Sequence, residues 1–110
     1  MQKAGVYRNE ILAGYISRDS NGNYMFVYTQ EYLIMDDAKP LSVNLKLRLE
    51  PYISEHLFSF FYNMLAEGDM KDMQCKKLRI DKDDDFSRLL ETTHHNTIGS
   101  VTVKRIENNE

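Results

Sequence analysis

Cysteine occurs once in these 110 residues, tryptophan not at all, and no apolar run approaches the length of a membrane span. The lone thiol, Cys75, has no intramolecular partner, so a disulfide-stapled scaffold is excluded and a reducing compartment, the cytoplasm by default, is expected. The longest nearly apolar stretch, residues 57–65, is interrupted by Ser59 and Asn63, well short of the about 20 residues that a bilayer crossing requires. Met1-Gln2-Lys3-Ala4-Gly5 carries no apolar segment of the kind that begins a secretory signal. Basic charge is scarce too: 14 Lys and Arg against 17 Asp and Glu leave a net charge of -3. Nucleic-acid binders neutralise phosphates with clustered cations, so direct nucleic-acid binding is not expected and the acidic balance suits a domain that binds protein.

What the chain does contain is enough to fill one core. Apolar residues make up 42%, with seven Tyr, five Phe and six Met, and a chain of this size buries roughly two-thirds of the surface that its unfolded form exposes. A single domain over residues 1–110 is expected, without internal repeats or a dividing linker.

Alternation predicts antiparallel strands over residues 4–7 and 11–17, joined by the short polar connection Arg8-Asn9-Glu10. Asn21-Gly22 has the composition of a type I′ turn, since both residues tolerate positive φ. Residues 24–29 then return as a third strand, with Tyr24, Phe26 and Tyr28 on one face and Met25 and Val27 on the other. Residues 31–35 are apolar but have no assigned form. Further on, Val43, Leu45, Leu47 and Leu49 alternate with Asn44, Lys46 and Arg48, the period of a half-buried strand that Pro51 ends.

The helical part begins with Ser54, placed to cap a helix whose stripe is Leu57, Phe58, Phe61, Met64 and Leu65, with Gly68 to end it. A second helix, capped by Asp69, reaches about Leu78 on a thin stripe of Met70, Met73 and Leu78. The acids of residues 81–85 lead into Phe86, Leu89 and Leu90, a short third helix with carboxylates at its positive end. His94-His95-Asn96-Thr97 reads as a loop and residues 100–105 as a closing strand. The expected fold is α+β: an antiparallel meander, open or curled toward a barrel, with two or three helices packed on it.

Reactive chemistry is hard to assemble from these residues. Asp81-Lys82-Asp83-Asp84-Asp85 imitates the start of a calcium loop, but Phe86 stands at the required glycine and Thr92 at the bidentate glutamate, so a solvated helix entry is the better reading. His94 and His95 adjoin while His56 is distant, and none has zinc-ligand spacing with Cys75. Cys75 lies near Lys76 and Lys77, cations that lower a thiol pKa, yet no base accompanies it. No catalytic residue, cofactor or metal is expected. The stripe from Leu57 to Leu65 reads as core. Met70 and Met73 sit on a helix with little else to bury, and fit either a loop of the same domain or an exposed interface, for which methionine is well adapted.

Four blocks occur in order: Pro40-Leu41-Ser42, then Phe60-Phe61-Tyr62-Asn63-Met64-Leu65-Ala66-Glu67, then Phe86-Ser87-Arg88-Leu89-Leu90, then Ile98-Gly99-Ser100-Val101-Thr102-Val103. Together they resemble the N-terminal subdomain of HipA-type serine/threonine kinases across essentially the whole chain. Two departures stand out. Ala66 occupies the place of a usual proline, which would restrict the residue before it, and Met70-Lys71-Asp72-Met73-Gln74 replaces a usually arginine-rich segment.

The resemblance implies that a kinase core follows this subdomain in full-length members. None of that core's motifs occurs within the 110 residues: there is no kinase-style catalytic loop, metal-binding Asp motif or phosphate-cradling glycine run. The chain is therefore expected to resemble the stand-alone HipS-type antitoxins, small non-catalytic proteins of HipBST-type toxin–antitoxin systems. There the small chain docks on a HipT- or HipA-like kinase and neutralises it, while a HipB-like protein binds DNA. The surface expected to dock comprises an apolar sheet edge and residues 66–78, with Glu67, Met70, Lys71, Met73 and Gln74 as contact residues. The alternatives left open are an obligatory activating or scaffolding subunit of a split kinase and an unrelated binder of small ligands or nucleic acid.

Overall fold

Period-two alternation at the start of the chain becomes three antiparallel strands, β1 (Gln2–Arg8), β2 (Ile11–Arg18) and β3 (Tyr24–Tyr28), in the computed structural model, which describes residues 2–92 and 101–106. A one-turn helix, α1 (Gln30–Leu33), follows, and then β4 (Tyr52–Ser54), α2 (Ser59–Tyr62), α3 (Gly68–Leu78), α4 (Asp85–Thr92) and β5 (Val101–Arg105). The strand order is β4-β3-β2-β1-β5, antiparallel throughout. The expected meander accounts for β1 to β3; β4, at a position where no strand is expected, adds beside β3, and β5 returns to pair with β1. The sheet stays open, with β4 and β5 at its edges, and does not close into a barrel. Four helices rather than two or three accompany it among the described residues. The additional one is α1, whose start is set by Thr29: its Oγ1 accepts the N–H of Tyr32 at 3.1 Å.

One face of the sheet carries the core. Ala4, Val6, Ile16, Tyr24, Phe26, Tyr28, Val101 and Val103 cluster with Tyr32, Phe61, Met64, Leu65, Phe86, Leu89 and Leu90 from the helical side. Phe26, Phe61 and Phe86 are fully buried, and each such side chain contributes about 1.5–3 kcal/mol on leaving water. Edge-to-face packing of Tyr24 on Phe86, with ring centroids 5.7 Å apart, joins β3 to α4. Backbones also approach closely between β2 and β3: a Cβ on Gly14 would lie 2.4 Å from the Val27 carbonyl oxygen, so only glycine fits there.

The type I′ turn lies at a different hairpin from the one expected. Asn9 and Glu10 both have positive φ, 52° and 68°, and Arg8 pairs directly with Ile11, so the β1–β2 connection is the tight two-residue hairpin. Between β2 and β3, Gly22 has a φ of 83° while Asn21 does not share a positive φ. Asp19 organises that turn instead, its Oδ1 accepting the N–H groups of Asn21 at 2.8 Å and Asn23 at 3.0 Å.

Alternation misleads across residues 43–49, where no strand forms. Leu41 and Leu45 point into the core while Val43 is 83% exposed at the tip of a tight turn closed by the Ser42–Leu45 bridge. The tyrosine of β3 explains the difference: the hydroxyl of Tyr28 accepts the N–H of Leu41 at 3.1 Å and donates to the carbonyl of Leu45. Satisfying a buried phenol this way fixes the backbone in a loop, a tertiary demand that outweighs local strand propensity. Burial pushes the Tyr28 pKa up to about 12, against an ordinary value of 10.0. Pro51 consequently precedes a strand, β4, instead of ending one.

Two helix boundaries also differ from expectation. Ser54 closes β4, and its Oγ accepts the N–H of His56 at 3.1 Å rather than capping a helix. The expected long helix shrinks to α2, with turn-type bonds carrying the chain on to Leu65, although Phe61, Met64 and Leu65 are buried as the stripe predicts. Gly68, with a φ of 60°, marks the break between the two helices as the first residue of α3 rather than the last of its predecessor. Glu67, not Asp69, occupies the cap position of α3.

Candidate protein-binding surface

α3 is held to the domain at its ends and along one narrow side. Cys75 is its only buried residue, while Lys71 and Gln74 are half-buried beside it, the i, i+3, i+4 pattern of an inward face. Met70 and Met73 project from the other side, 51% and 58% exposed. The five residues predicted for an interface are thus divided: Glu67, Met70 and Met73 lie open to solvent, whereas Lys71 and Gln74 turn toward the domain. Large side chains left in water on a helix that buries one thiol are unfavourable unless something covers them, and methionine adapts to varied partner shapes.

The position of α3 depends on α4. Arg88 on α4 is buried, and its guanidinium donates to the Ala66 carbonyl at 2.6 Å and to Asp85 at 3.1 Å. The connection between α2 and α3 is thereby tied to the helix below it, at the residue that replaces the expected proline. The start of α4 is fixed in turn by Asp84, whose carboxylate accepts the Ser87 N–H at 3.1 Å and hydroxyl at 2.8 Å. Arg18 of β2 donates to the same carboxylate at 3.0 Å and stacks over Phe86. Partial burial opposes ionisation of Asp84, but the Ser87 bonds and Arg18 outweigh it and hold the carboxyl below its ordinary range. Desolvation likewise opposes the charge on Arg18, and Asp84 reverses the balance and raises its pKa.

Among the described residues no group of three His, Cys, Asp or Glu side chains can hold a metal ion, and no helix is long and apolar enough to cross a membrane. His94 and His95 lie outside the described residues. What the surface offers chemically is apolar contact bordered by charge.

Sequence reasoning overlooked a second surface, the face of the sheet away from the helices. Its cross-strand rows set Ile53 opposite Met25, Val27 opposite Tyr15 and Leu12 opposite Tyr7. Met25 and Val27 lie on the face opposite Tyr24, Phe26 and Tyr28, as alternation predicts, but alternation alone does not reveal which face the described helices cover.

Known proteins resemble this chain in sequence and in fold. An uncharacterised protein of Haemophilus influenzae is 29% identical over 87 residues, spanning 79% of this chain and 77% of that one. A protein of Sinorhizobium fredii named as a kinase, Y4mE, is 27% identical over 78 residues, which are 71% of this chain but 19% of that protein, so the chain spans about a fifth of its length. Among solved structures, the N-terminal domain of HipA toxin superposes with a TM-score of 0.74 at 24% identity, covering 99% of this chain and 96% of that one, a likeness of fold. Residues 4–104, which span all the helices described above and all the strands except the outer ends of β1 and β5, match the HipA N-terminal domain family, and the chain belongs to that family.

Proposed function

We propose that this chain is a non-catalytic antitoxin-type subunit that docks on a HipA- or HipT-like serine/threonine kinase and neutralises it in the cytoplasm, with a HipB-like DNA-binding protein as a further member of the complex. The observation that carries this reading is the bare outer side of α3, where Met70 and Met73 are exposed on a helix that the domain itself barely uses. Family membership supplies the kinase context, and the similarity to a protein named as a kinase agrees with it. Docking of residues 66–78 against the kinase N-lobe would hinder the closure that aligns nucleotide and substrate for phosphoryl transfer. A domain of this size has room for an interface of roughly 800 Å² per partner.

Co-expression with the kinase chain tests the sign of the effect. Restored growth, together with loss of kinase autophosphorylation in the purified pair, is the expected result. Raised phosphorylation on adding this chain would replace inhibition with activation, and turnover of ATP by the purified chain alone would overturn the non-catalytic reading.

A further inference from the structure

Antiparallel sheets with one face in water ordinarily put polar side chains on that face. Here the outward positions of the central strands are Tyr7, Leu12, Tyr15, Met25 and Val27, and Ile53 at the β4 edge is 73% exposed. Among the described residues, the charged strand positions of this face have one sign. Lys3 stands opposite Ser17 and Lys104 opposite Gly5, and none of the outward strand positions holds Asp or Glu. Both ammonium groups rest on aromatic rings: Lys3 Nζ lies 4.3 Å from the Tyr15 ring centroid and Lys104 Nζ 5.0 Å from that of Tyr7. Gly5 makes room for this arrangement, because a Cβ there would come within 3.0 Å of the Tyr7 ring. Tyr7 therefore covers bare backbone on the strand between Tyr15 and Lys104.

We propose that this open face is a second docking surface, separate from α3, and that it takes a protein surface in which carboxylates border an apolar centre. The argument for the occupant is charge complementarity: two cations flank an apolar field whose described strand positions supply no anion. A second copy packed face to face would bring together like charges without a carboxylate on either side. Nucleic acid fits less well, since two lysines neutralise few phosphates and the two rings of this face, Tyr15 and Tyr7, already carry the lysine ammonium groups that would compete with a stacked base. In naming the partner as the kinase chain, the proposal rests on the function proposed above; the choice of face does not.

Titration calorimetry of the kinase chain with wild-type protein, K3E/K104E, K3M/K104M and M70D/M73D, each at low and high salt, tests it. The expected result is wild-type binding, about tenfold or more weaker binding by K3E/K104E, and weaker binding with a flattened salt dependence by K3M/K104M. Unchanged circular dichroism and melting temperature would show that each variant is folded. If the lysines merely shield the apolar face, K3M/K104M binds as tightly as wild type or more tightly, and the proposal fails. Wild-type binding that is lost in M70D/M73D but untouched in both lysine variants would remove the sheet face and leave kinase binding by α3 intact. No binding by wild type would remove both readings. Lysine-dependent binding of a labelled single-stranded RNA, or dimerisation abolished by K3E/K104E, would assign the face to another occupant and overturn the proposal.

Discussion

Helices α3 and α4 are neighbours in the chain, yet the domain uses them in opposite ways. α4 buries Phe86, Leu89 and Leu90 against the sheet, is capped by Asp84 and is tied by Arg18 to β2. α3 is longer, buries Cys75 alone and displays Met70 and Met73. Energy of folding is concentrated in the first helix, while the second is a shelf held up by it, and a surface that contributes little to folding is free to serve binding. The difference predicts that the two helices respond differently to substitution.

Phe86→Ala should have the largest effect on stability, about 3–5 kcal/mol, because a fully buried ring is replaced by a cavity at the junction of α4 and β3. Urea denaturation measures it, and a loss below about 1 kcal/mol would mean that α4 is not the anchor. Arg88→Ala comes next. Without the guanidinium the Ala66 carbonyl and Asp85 lose a buried donor, a loss of about 1–3 kcal/mol. Hydrogen exchange in this variant should quicken more in α3 than in α4, and equal acceleration would show that Arg88 does not specifically tether the shelf.

Acid sensitivity should follow the α4 cap. A carboxyl whose folded pKa is depressed stabilises the fold above its ordinary value of 3.8, and that contribution disappears as pH falls through the lower folded value. Thermal melts taken downward through this range should therefore show an acid-side loss in wild type that is smaller in Asp84→Asn, starting from a lower melting temperature at neutral pH. Identical acid limbs would separate Asp84 from the stability of α4. The smallest change in stability is expected for Met70→Asp with Met73→Asp, within about 0.5 kcal/mol by urea denaturation, as befits exposed positions. A substantial destabilisation would show that the methionines belong to the folding machinery.

Much of this contrast is legible in sequence. The strands β1, β2, β3 and β5 follow from period-two alternation, and the Phe86, Leu89, Leu90 triplet marks the buried side of α4. The thin stripe of α3 likewise anticipates its poor burial, with Met70 and Met73 left exposed. Failures occurred where distant contacts rule. Leucines 45, 47 and 49 alternate like a strand, but the Tyr28 hydroxyl captures the backbone at Leu41 and Leu45 from across the domain. The Asn21-Gly22 pair looked like the tighter turn, although Asn9 and Glu10 form it because the pairing of Arg8 with Ile11 leaves two residues to reverse the chain. Lys71 and Gln74 are near Met70 in sequence, but helical rotation places them on the half-buried side of α3. The apolar outer sheet face escaped notice because alternation of Val6 with Tyr7, or Phe26 with Val27, shows that both sides are apolar without showing which one the helices leave open.

Hydrogen–deuterium exchange of the chain alone and in complex with the kinase chain is the most direct test of the central claim that the outer side of α3 is reserved for a partner. The expected result is strong new protection across residues 66–78 on complex formation, with little change in α4, whose amides the fold already protects. A complex that forms while α3 exchanges as fast as it does in the free chain would contradict it.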